Sequence, residues 1–193
     1  TDCVVVDTSV LIDGRINEIV KSGFLDKILV VPKQVVLELQ HVADSKDPLK
    51  RQRGRRGLDR LKDLRKLTKV DLVDVKANGK DVDDLLVDLA KKHDIPLLTL
   101  DFNLVKVAEL ADVGVLNINI LVESLKTIIL PGEVVSLKIV QKGKEKSQGV
   151  GYLEDGTMLV VKGGAGKVGE EVKVKISKLI QSPAGKMFFC ELA

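Results

Sequence analysis

The sequence predicts an α/β protein in two parts: a three-layer α/β/α domain built on a parallel sheet (residues 1–130), then a small all-β, OB-like barrel (residues 131–193). Two observations lead to this prediction. Before "LPGE" (residues 130–133), short apolar runs alternate with helical patterns, which is typical of a parallel sheet covered on both faces. After it the helical patterns stop, and ten of the sixteen glycines separate short alternating runs.

Hydrophobic periodicity predicts each element of the two parts. In the first part we expect strands at residues 3–7, 27–32, 70–75, 95–101 and 115–118. We expect one long helix over 9–23 that stops at Gly23, then helices over 33–44, 56–67, 81–94, 103–114 and 119–126. In the second part we expect strands at 134–140, 149–153, 157–162, 170–180 and 186–192.

The composition of the chain indicates its cellular compartment and whether it is a membrane protein. No apolar run approaches the roughly 20 residues that span a bilayer, and no signal peptide precedes the first strand. Cys3 and Cys190 form no disulfide framework, so we expect buried, inert thiols in a reducing compartment. We therefore expect a cytoplasmic protein. Because the chain starts without methionine, the alternative is the cytoplasmic part of a longer, membrane-anchored protein.

Charge is segregated along the chain, although the net charge is only +3. Residues 50–69 carry ten lysines and arginines against two aspartates. Such segregation suits an acidic, metal-binding pocket with a border that holds phosphates. The alternative is a solvated basic helix with scattered acids.

Two acids follow predicted strands directly. Asp7 comes after "VVV" and Asp101 after "PLLTL". In an open parallel sheet the ligand crevice lies at the carboxyl ends of the strands, where a carboxylate is costly unless it is paired or binds a metal. The alternative for each is an N-cap of the following helix.

Two further acidic residues favour a metal-binding site over simple helix caps. Glu38 lies inside a predicted helix, next to its apolar stripe, and Asp83 stands between Asp81 and Asp84 in the first turn of another. Three acids within four residues exceed what one cap needs, although the helix dipole explains part of the cluster.

Several motifs together resemble a known family. "VVVDTSVLID", "VDDLLVDLA" and "PLLTLDFNL" resemble the PIN domain, a metal-dependent nuclease fold. "ADSKDPLKRQRGRRGLDRL", "KVAELADVGVLNIN" and "LPGE…GKEKSQGVGYLEDGTMLVV" are similar to the bacterial PIN–TRAM proteins of the YacL-like type, whose second domain is an RNA-associated TRAM barrel. The resemblance covers essentially the whole chain.

The resemblance implies the site residues. The family's four acidic positions fall on Asp7, Glu38, Asp83 and Asp101, as catalytic residues and metal ligands, with Ser9 and Asn103 as supporting polar groups. The family usually has Thr-Asn-Asp where this chain has Thr99-Leu100-Asp101, which puts one supporting hydrogen bond in doubt.

The implied activity is a metal-dependent nuclease, specifically an endoribonuclease. Carboxylates suit Mg²⁺ or Mn²⁺, and without a His/Cys cluster we expect no zinc; His41 and His93 are isolated. A metal pair would activate water and stabilise the departing oxygen. The alternative is a non-catalytic nucleic-acid-binding or assembly module with a structural metal. A phosphotransfer enzyme is disfavoured because Ser9 stands where a phosphatase needs a second Asp.

The expected partner is RNA, with single-stranded DNA as an alternative and a homodimer as the default assembly. The basic stretch "LKRQRGRRGLDRLK" is predicted to bind phosphate groups. Gly54 and Gly57 would allow the backbone to approach a phosphate closely, and Arg60 would contribute its guanidinium group. The predicted nucleic-acid contacts are Arg51, Arg53, Arg55, Arg56, Lys142, Lys144, Lys146 and, as a stacking ring, Tyr152.

Two further predictions concern the barrel. Phe188 and Phe189 are expected in its core. Gly164–Gly169 spells G-x-G-x-x-G, but "EEVKVKI" follows it as a strand, so we expect a glycine-rich hairpin and no nucleotide cofactor.

Overall fold

A computed structural model describes residues 2–76, 79–126, 128–182 and 185–193. The chain divides into two compact units, Thr1–Val122 and Glu123–Ala193. The first unit contains the parallel sheet and the second contains a closed barrel. Both predicted architectures are therefore present.

The sheet of the first unit has five parallel strands in the order β3-β2-β1-β4-β5. Its strands are β1 (Cys3–Val6), β2 (Ile28–Pro32), β3 (Val70–Val73), β4 (Leu97–Leu98) and β5 (Val115–Leu116). After β1 the chain adds β2 and then β3 on one side of β1, and it then adds β4 and β5 on the other side. The carboxyl ends of β1 and β4 therefore flank a topological switch point, where open α/β sheets bind ligands.

Helices cover this sheet. They are α1 (Thr8–Asp13), α2 (Arg15–Lys21), α3 (Lys33–Ala43), α4 (Pro48–Leu67), α5 (Val82–His93), α6 (Phe102–Leu110) and α7 (Ile118–Leu125). Val4, Val5 and Val6 of β1 are fully buried. Burial on both faces explains why this strand reads as a continuous valine run rather than an alternating one.

The single helix predicted over residues 9–23 is wrong, because two helices, α1 and α2, meet at Gly14. Gly14 has a φ of 84°, a left-handed conformation that glycine adopts without strain. Its N–H donates to the carbonyl of Val10, which ends α1. The guanidinium of Arg60 fills the space that a Cβ at Gly14 would occupy.

Helix α4 begins at Pro48, eight residues before the predicted start. Asp47 caps it by accepting from the N–H groups of Leu49 and Lys50, and Pro48 occupies the first helical position. Residues 50–55 of the basic stretch therefore lie on this helix as well.

The predicted role of Gly54 and Gly57 in backbone approach to phosphate is wrong, because both are buried in α4 against α3. A Cβ at Gly54 would lie 2.3 Å from the backbone nitrogen of Ala43. A Cβ at Gly57 would lie 2.6 Å from Cδ2 of Leu39. The glycines allow two helices to pack closely.

The second unit is a closed barrel with strand order β10-β8-β7-β6-β9. Its strands are β6 (Val134–Lys142), β7 (Gln148–Tyr152), β8 (Met158–Lys162), β9 (Glu171–Ser182) and β10 (Gly185–Leu192). The core contains Leu137, Ile139, Leu159, Val161, Val174, Ile176, Phe188 and Cys190. In the first part of β9, residues 171–177, buried or half-buried residues alternate with exposed ones, which matches the inward and outward faces of a small barrel.

Two predictions for the barrel need correction. The segment after β8 is no hairpin: Gly164–Lys167 forms a 3₁₀ turn, and β8 and β9 are not neighbours in the barrel. Phe188 is in the core as predicted, but Phe189 points to the other face of β10 and is only half-buried. The ammonium of Lys178 lies 5.5 Å from the centroid of the Phe189 ring.

Both cysteines are free thiols. Burial raises the pKa of Cys190 to about 11, so it is unreactive, whereas Cys3 is only half-buried. Within the described ranges, no helix is long and apolar enough to cross a membrane.

Candidate active site

Asp7 lies at the carboxyl end of β1 and caps α1. It is 5% exposed, and its Oδ2 accepts three hydrogen bonds: from the N–H of Ser9 at 3.3 Å, the hydroxyl of Ser9 at 2.5 Å and the hydroxyl of Thr99 at 2.8 Å. Among the described residues, none donates to Oδ1. The cap predicted as an alternative is therefore present, and it leaves one oxygen available to a ligand.

Ser9 and Thr99 connect the ends of β1 and β4. The hydroxyl of Ser9 also accepts from the N–H of Leu100 at 3.0 Å, and that of Thr99 accepts from the N–H of Asp101 at 3.0 Å. Ser9 thus supports Asp7, as predicted. The departure at Leu100 removes no hydrogen bond from Asp7, because backbone and hydroxyl groups supply them and the Leu100 side chain packs on the core.

Asp101 is the N-cap of α6. Its Oδ1 accepts from the N–H groups of Asn103 at 2.7 Å and Leu104 at 3.1 Å. Asn103 therefore contributes its backbone to Asp101, while its own side chain is exposed. Asp101 is also exposed, and its N–H donates to the hydroxyl of Thr99, which in turn donates to Asp7.

Glu38 lies on α3 and is exposed. Its Oε2 accepts from the hydroxyl of Thr8 at 2.5 Å. Thr8 is 5% exposed and follows Asp7 directly, so this hydrogen bond connects Glu38 to the end of β1. Thr8 and Thr99 are not among the predicted site residues, because a Thr at a strand end resembles an ordinary strand or cap residue.

Asp83 lies in the first turn of α5, which Asp81 caps. Its pKa is raised to about 6, first by burial and then by the negative charges of Asp7, Asp101, Asp81 and Glu38. The charges of the other three predicted site acids, Asp7, Glu38 and Asp101, thus reach Asp83 electrostatically.

The donor set fits a hard divalent cation. Carboxylate oxygens are the preferred ligands of Mg²⁺ and Mn²⁺, and a cation would remove the repulsion that adds to burial in raising the pKa of Asp83. Within the described ranges, however, no three Asp, Glu, His or Cys side chains already lie close enough to bind one ion together. His41 and His93 are exposed, which agrees with a site built from carboxylates.

The predicted basic contacts of α4 lie on two sides of its buried stripe. Gly54, Gly57, Leu61 and Leu64 form that stripe. Helical spacing groups Arg51 with Arg55 on one side and Arg53 with Arg56 on the other. Arg53, Arg55 and Arg56 are exposed, and Arg51 is half-buried.

Arg60, predicted to contribute to phosphate binding, is half-buried and donates hydrogen bonds to backbone carbonyls of α1. Its Nη1 donates to the carbonyls of Ile12, at 2.9 Å, and Asp13. It thus satisfies carbonyls at the carboxyl end of α1.

In the barrel, the predicted lysines flank the β6–β7 turn. Lys142 ends β6, Lys144 and Lys146 lie in the turn, and all three are exposed. Tyr152 ends β7 at the far end of that hairpin and is 45% exposed. The ring is therefore separated from the turn by the length of β7.

Fold and site together define a two-domain protein: an α/β domain with a carboxylate cluster at its switch point, and a small β-barrel. Residues 4–110 match the PIN domain and residues 130–180 match the TRAM domain. The chain belongs to the PIN domain family and carries a TRAM domain, as the resemblance predicted.

Nearly the whole chain is similar to part of known PIN–TRAM proteins. It is 46% identical over 190 residues to the PIN and TRAM-domain containing protein YacL of Bacillus subtilis, covering 97% of this chain and 52% of that protein. It is 43% identical over 189 residues to a PIN and TRAM-domain containing protein of Thermus thermophilus, covering 98% and 56%. The chain therefore spans about half the length of these curated relatives.

A solved structure supports the fold. A domain of a protein from Methanocaldococcus jannaschii superposes with a TM-score of 0.52 and 26% sequence identity, covering 70% of this chain and 99% of that one.

Proposed function

We propose that this protein is a metal-dependent endoribonuclease that uses Mg²⁺ or Mn²⁺, with a barrel that binds RNA. One observation carries the proposal: Asp7 and Asp101 follow the paired strands β1 and β4 at the switch point, where burial and the charges of Asp7, Asp101, Asp81 and Glu38 raise the pKa of Asp83 to about 6. Repulsion among carboxylates does not stabilise a fold unless a cation is bound, so the cluster favours a cation-binding function. PIN domains as a class are associated with nucleases, and TRAM domains with RNA binding.

The four acids take different roles in the proposal. Asp7 is the central ligand, since its Oδ2 is held by Ser9 and Thr99 while Oδ1 accepts no hydrogen bond from the described residues. Asp83 and Asp101 complete the ligand set. Glu38, oriented by Thr8, is either a ligand or the base that orients water. A divalent cation held there would neutralise the acids and lower the pKa of water for phosphodiester hydrolysis.

Substrate contacts outside the acids are proposed on both domains. Exposed guanidinium groups of α4, from Arg53, Arg55 and Arg56, would bind phosphates, and half-buried Arg51 would flank them. On the barrel, Lys142, Lys144 and Lys146 would contact the backbone and Tyr152 would stack on a base. A homodimer stays our prediction for the assembly.

Cleavage of RNA with Mn²⁺ or Mg²⁺ tests the proposal. The wild-type protein is expected to cleave single-stranded RNA, with chelation by EDTA abolishing cleavage. Asp7→Asn and Asp101→Asn should each lose most of this activity. Asp26→Asn removes an exposed acid of the α2–β2 loop, at the other end of the sheet, and should keep it. The same cleavage assay with single-stranded DNA shows whether the substrate is RNA, DNA or both.

Equal cleavage by wild type and Asp7→Asn would point to a contaminant and defeat the proposal. RNA binding without cleavage at any divalent cation would favour the alternative function, a non-catalytic nucleic-acid-binding or assembly module whose acids hold a structural metal.

A further inference from the structure

We propose that Phe102 and Lys106 form a platform on which a base of the RNA stacks beside the acid site. This inference rests on the proposed function, because it names the part of the RNA that the site holds. Phe102 is 69% exposed, and the ammonium of Lys106 lies 4.4 Å from the centroid of its ring. Neither residue belongs to the predicted site.

The position of Phe102 connects the platform to the acids. Phe102 follows Asp101 directly and is the first residue of α6. Asp101 holds the first turn of α6 through the N–H groups of Asn103 and Leu104, so the backbone under the ring is fixed. Side chains of a helix tilt toward its N-terminus, which at α6 is the carboxyl edge of the sheet. The ring is therefore displayed at the edge that carries the acids.

The chemistry of the pair suits a nucleotide. An aromatic ring stacks on any base, and a cation at the ring adds attraction to a phosphate. Lys106 is exposed and contacts one face of the ring, yet most of the ring surface stays accessible. The chain has only four phenylalanines, one tyrosine and no tryptophan, so an exposed ring next to a site acid is not a product of aromatic abundance.

A contact with a second copy of the chain is the competing use of this surface. Phe102 and Leu110, which is 87% exposed, are two helical turns apart on α6. Lys106 lies between them and is exposed, so an apolar contact along this face would bury an ammonium. A base with its phosphate accommodates both the ring and the charge.

The absence of tryptophan provides a direct test. In Phe102→Trp, the emission of the introduced indole should change when single-stranded RNA binds in EDTA, where the proposed cleavage does not occur. Phe24→Trp is the matched control, because Phe24 is also 69% exposed but lies in the α2–β2 loop, at the amino end of the strands. Its emission should stay constant.

Affinity gives a second measurement on the same proteins. Fluorescence anisotropy of a labelled single-stranded RNA should show about 5- to 100-fold weaker binding by Phe102→Ala, the range expected for the loss of one stacked base. Phe24→Ala should bind like wild type. Lys106→Met should also bind more weakly, whereas Lys91→Met, on the exposed end of α5, should not.

Several outcomes would overturn the proposal. These are equal emission changes at positions 102 and 24, equal affinity of the two alanine variants, or no RNA binding at all. If the wild-type protein is a dimer and Phe102→Ala is a monomer with unchanged RNA affinity, the surface serves self-association. Cleavage that depends on Asp7 but not on Phe102 would refute the platform alone, and stacking without cleavage would refute the nuclease alone.

Discussion

The hydroxyl of Thr99 donates a 2.8 Å hydrogen bond to Oδ2 of Asp7, which joins the ends of two strands that are 92 residues apart in the chain. Thr99 is fully buried and Asp7 nearly so. A buried carboxylate needs such donors, because desolvation otherwise disfavours its charged form. The bond therefore orients the carboxylate on which the proposed site depends.

Thr99→Val removes this donor at nearly constant shape. We expect a loss of about 1.5–3 kcal/mol in unfolding free energy, since the bond involves a charged group. If Asp7 binds a metal, Mn²⁺ affinity should also fall about 10- to 100-fold, as for other residues that orient a ligand. Urea denaturation and calorimetric titration measure the two effects.

Thr157→Val is the matched control for that change. Thr157 is 3% exposed, and among the described residues its hydroxyl has no hydrogen-bond partner. Replacing an unpaired buried hydroxyl should be neutral or stabilising. Equal destabilisation by the two substitutions would show that the Thr99–Asp7 bond contributes nothing specific.

Asp83→Asn should stabilise the metal-free protein at neutral pH. Its pKa in the fold is raised to about 6 from 3.8, so the folded state holds the proton more tightly than the unfolded state. The contribution of Asp83 to stability therefore falls as pH rises from about 4 to about 6 and stays low above that. Thermal unfolding in EDTA should show a higher Tm for the variant at pH 7, and the difference should shrink below pH 4.

Asp84→Asn changes the same charge in the same turn of α5 and serves as the control. If it raises the Tm as much as Asp83→Asn, the effect belongs to the helix terminus and not to the acid cluster. Added Mn²⁺ should stabilise wild type and the Asp84 variant more than the Asp83 variant.

Gly54→Ala should destabilise the first unit although alanine is the better helix former. The new Cβ would lie 2.3 Å from the backbone nitrogen of Ala43, and overpacking of this kind costs about 1–3 kcal/mol or more. Gly57→Ala should cost less, because its contact is the side-chain atom Cδ2 of Leu39. Gly166→Ala, with no atom within 4 Å, should be nearly neutral in urea denaturation. A neutral Gly54→Ala would contradict the observed α3–α4 packing.

Arg60→Met and Arg56→Met should separate stability from RNA binding. Arg60 donates to the carbonyls of Ile12 and Asp13, so its loss should cost about 1–3 kcal/mol in unfolding free energy. Arg56 is exposed, so its loss should leave stability unchanged and lower the salt dependence of RNA affinity by about one phosphate contact. An equal loss of unfolding free energy in the two variants, or an equal change in the salt dependence of RNA affinity, would contradict this separation of roles.

The strands and the two N-caps that follow them could be predicted from sequence because their causes are local. A valine run followed by Asp7 is readable in one short segment, as are the N-caps at Asp7 and Asp101. The break at Gly14 was not predicted, because the position looks helical until Arg60 is placed against it. Thr99 could not be identified for the same reason: its role exists only once β4 pairs with β1.

The glycines of α4 show the same dependence on tertiary contacts. In sequence they stand among arginines, which suggests that their backbone approaches phosphate, but the helix turns Gly54 and Gly57 toward α3 and the arginines to either side. Only the packing partner distinguishes a glycine that meets a ligand from one that meets a neighbouring helix.

Crystals grown with Mn²⁺ provide the most direct test of the shared-cation hypothesis. An anomalous difference map should show a peak in contact with Asp7 and at least one of Asp83 and Asp101, and that peak should disappear in Asp7→Asn. Saturating Mn²⁺ with no peak among the four carboxylates, or a peak that persists without the Asp7 carboxylate, would contradict the account.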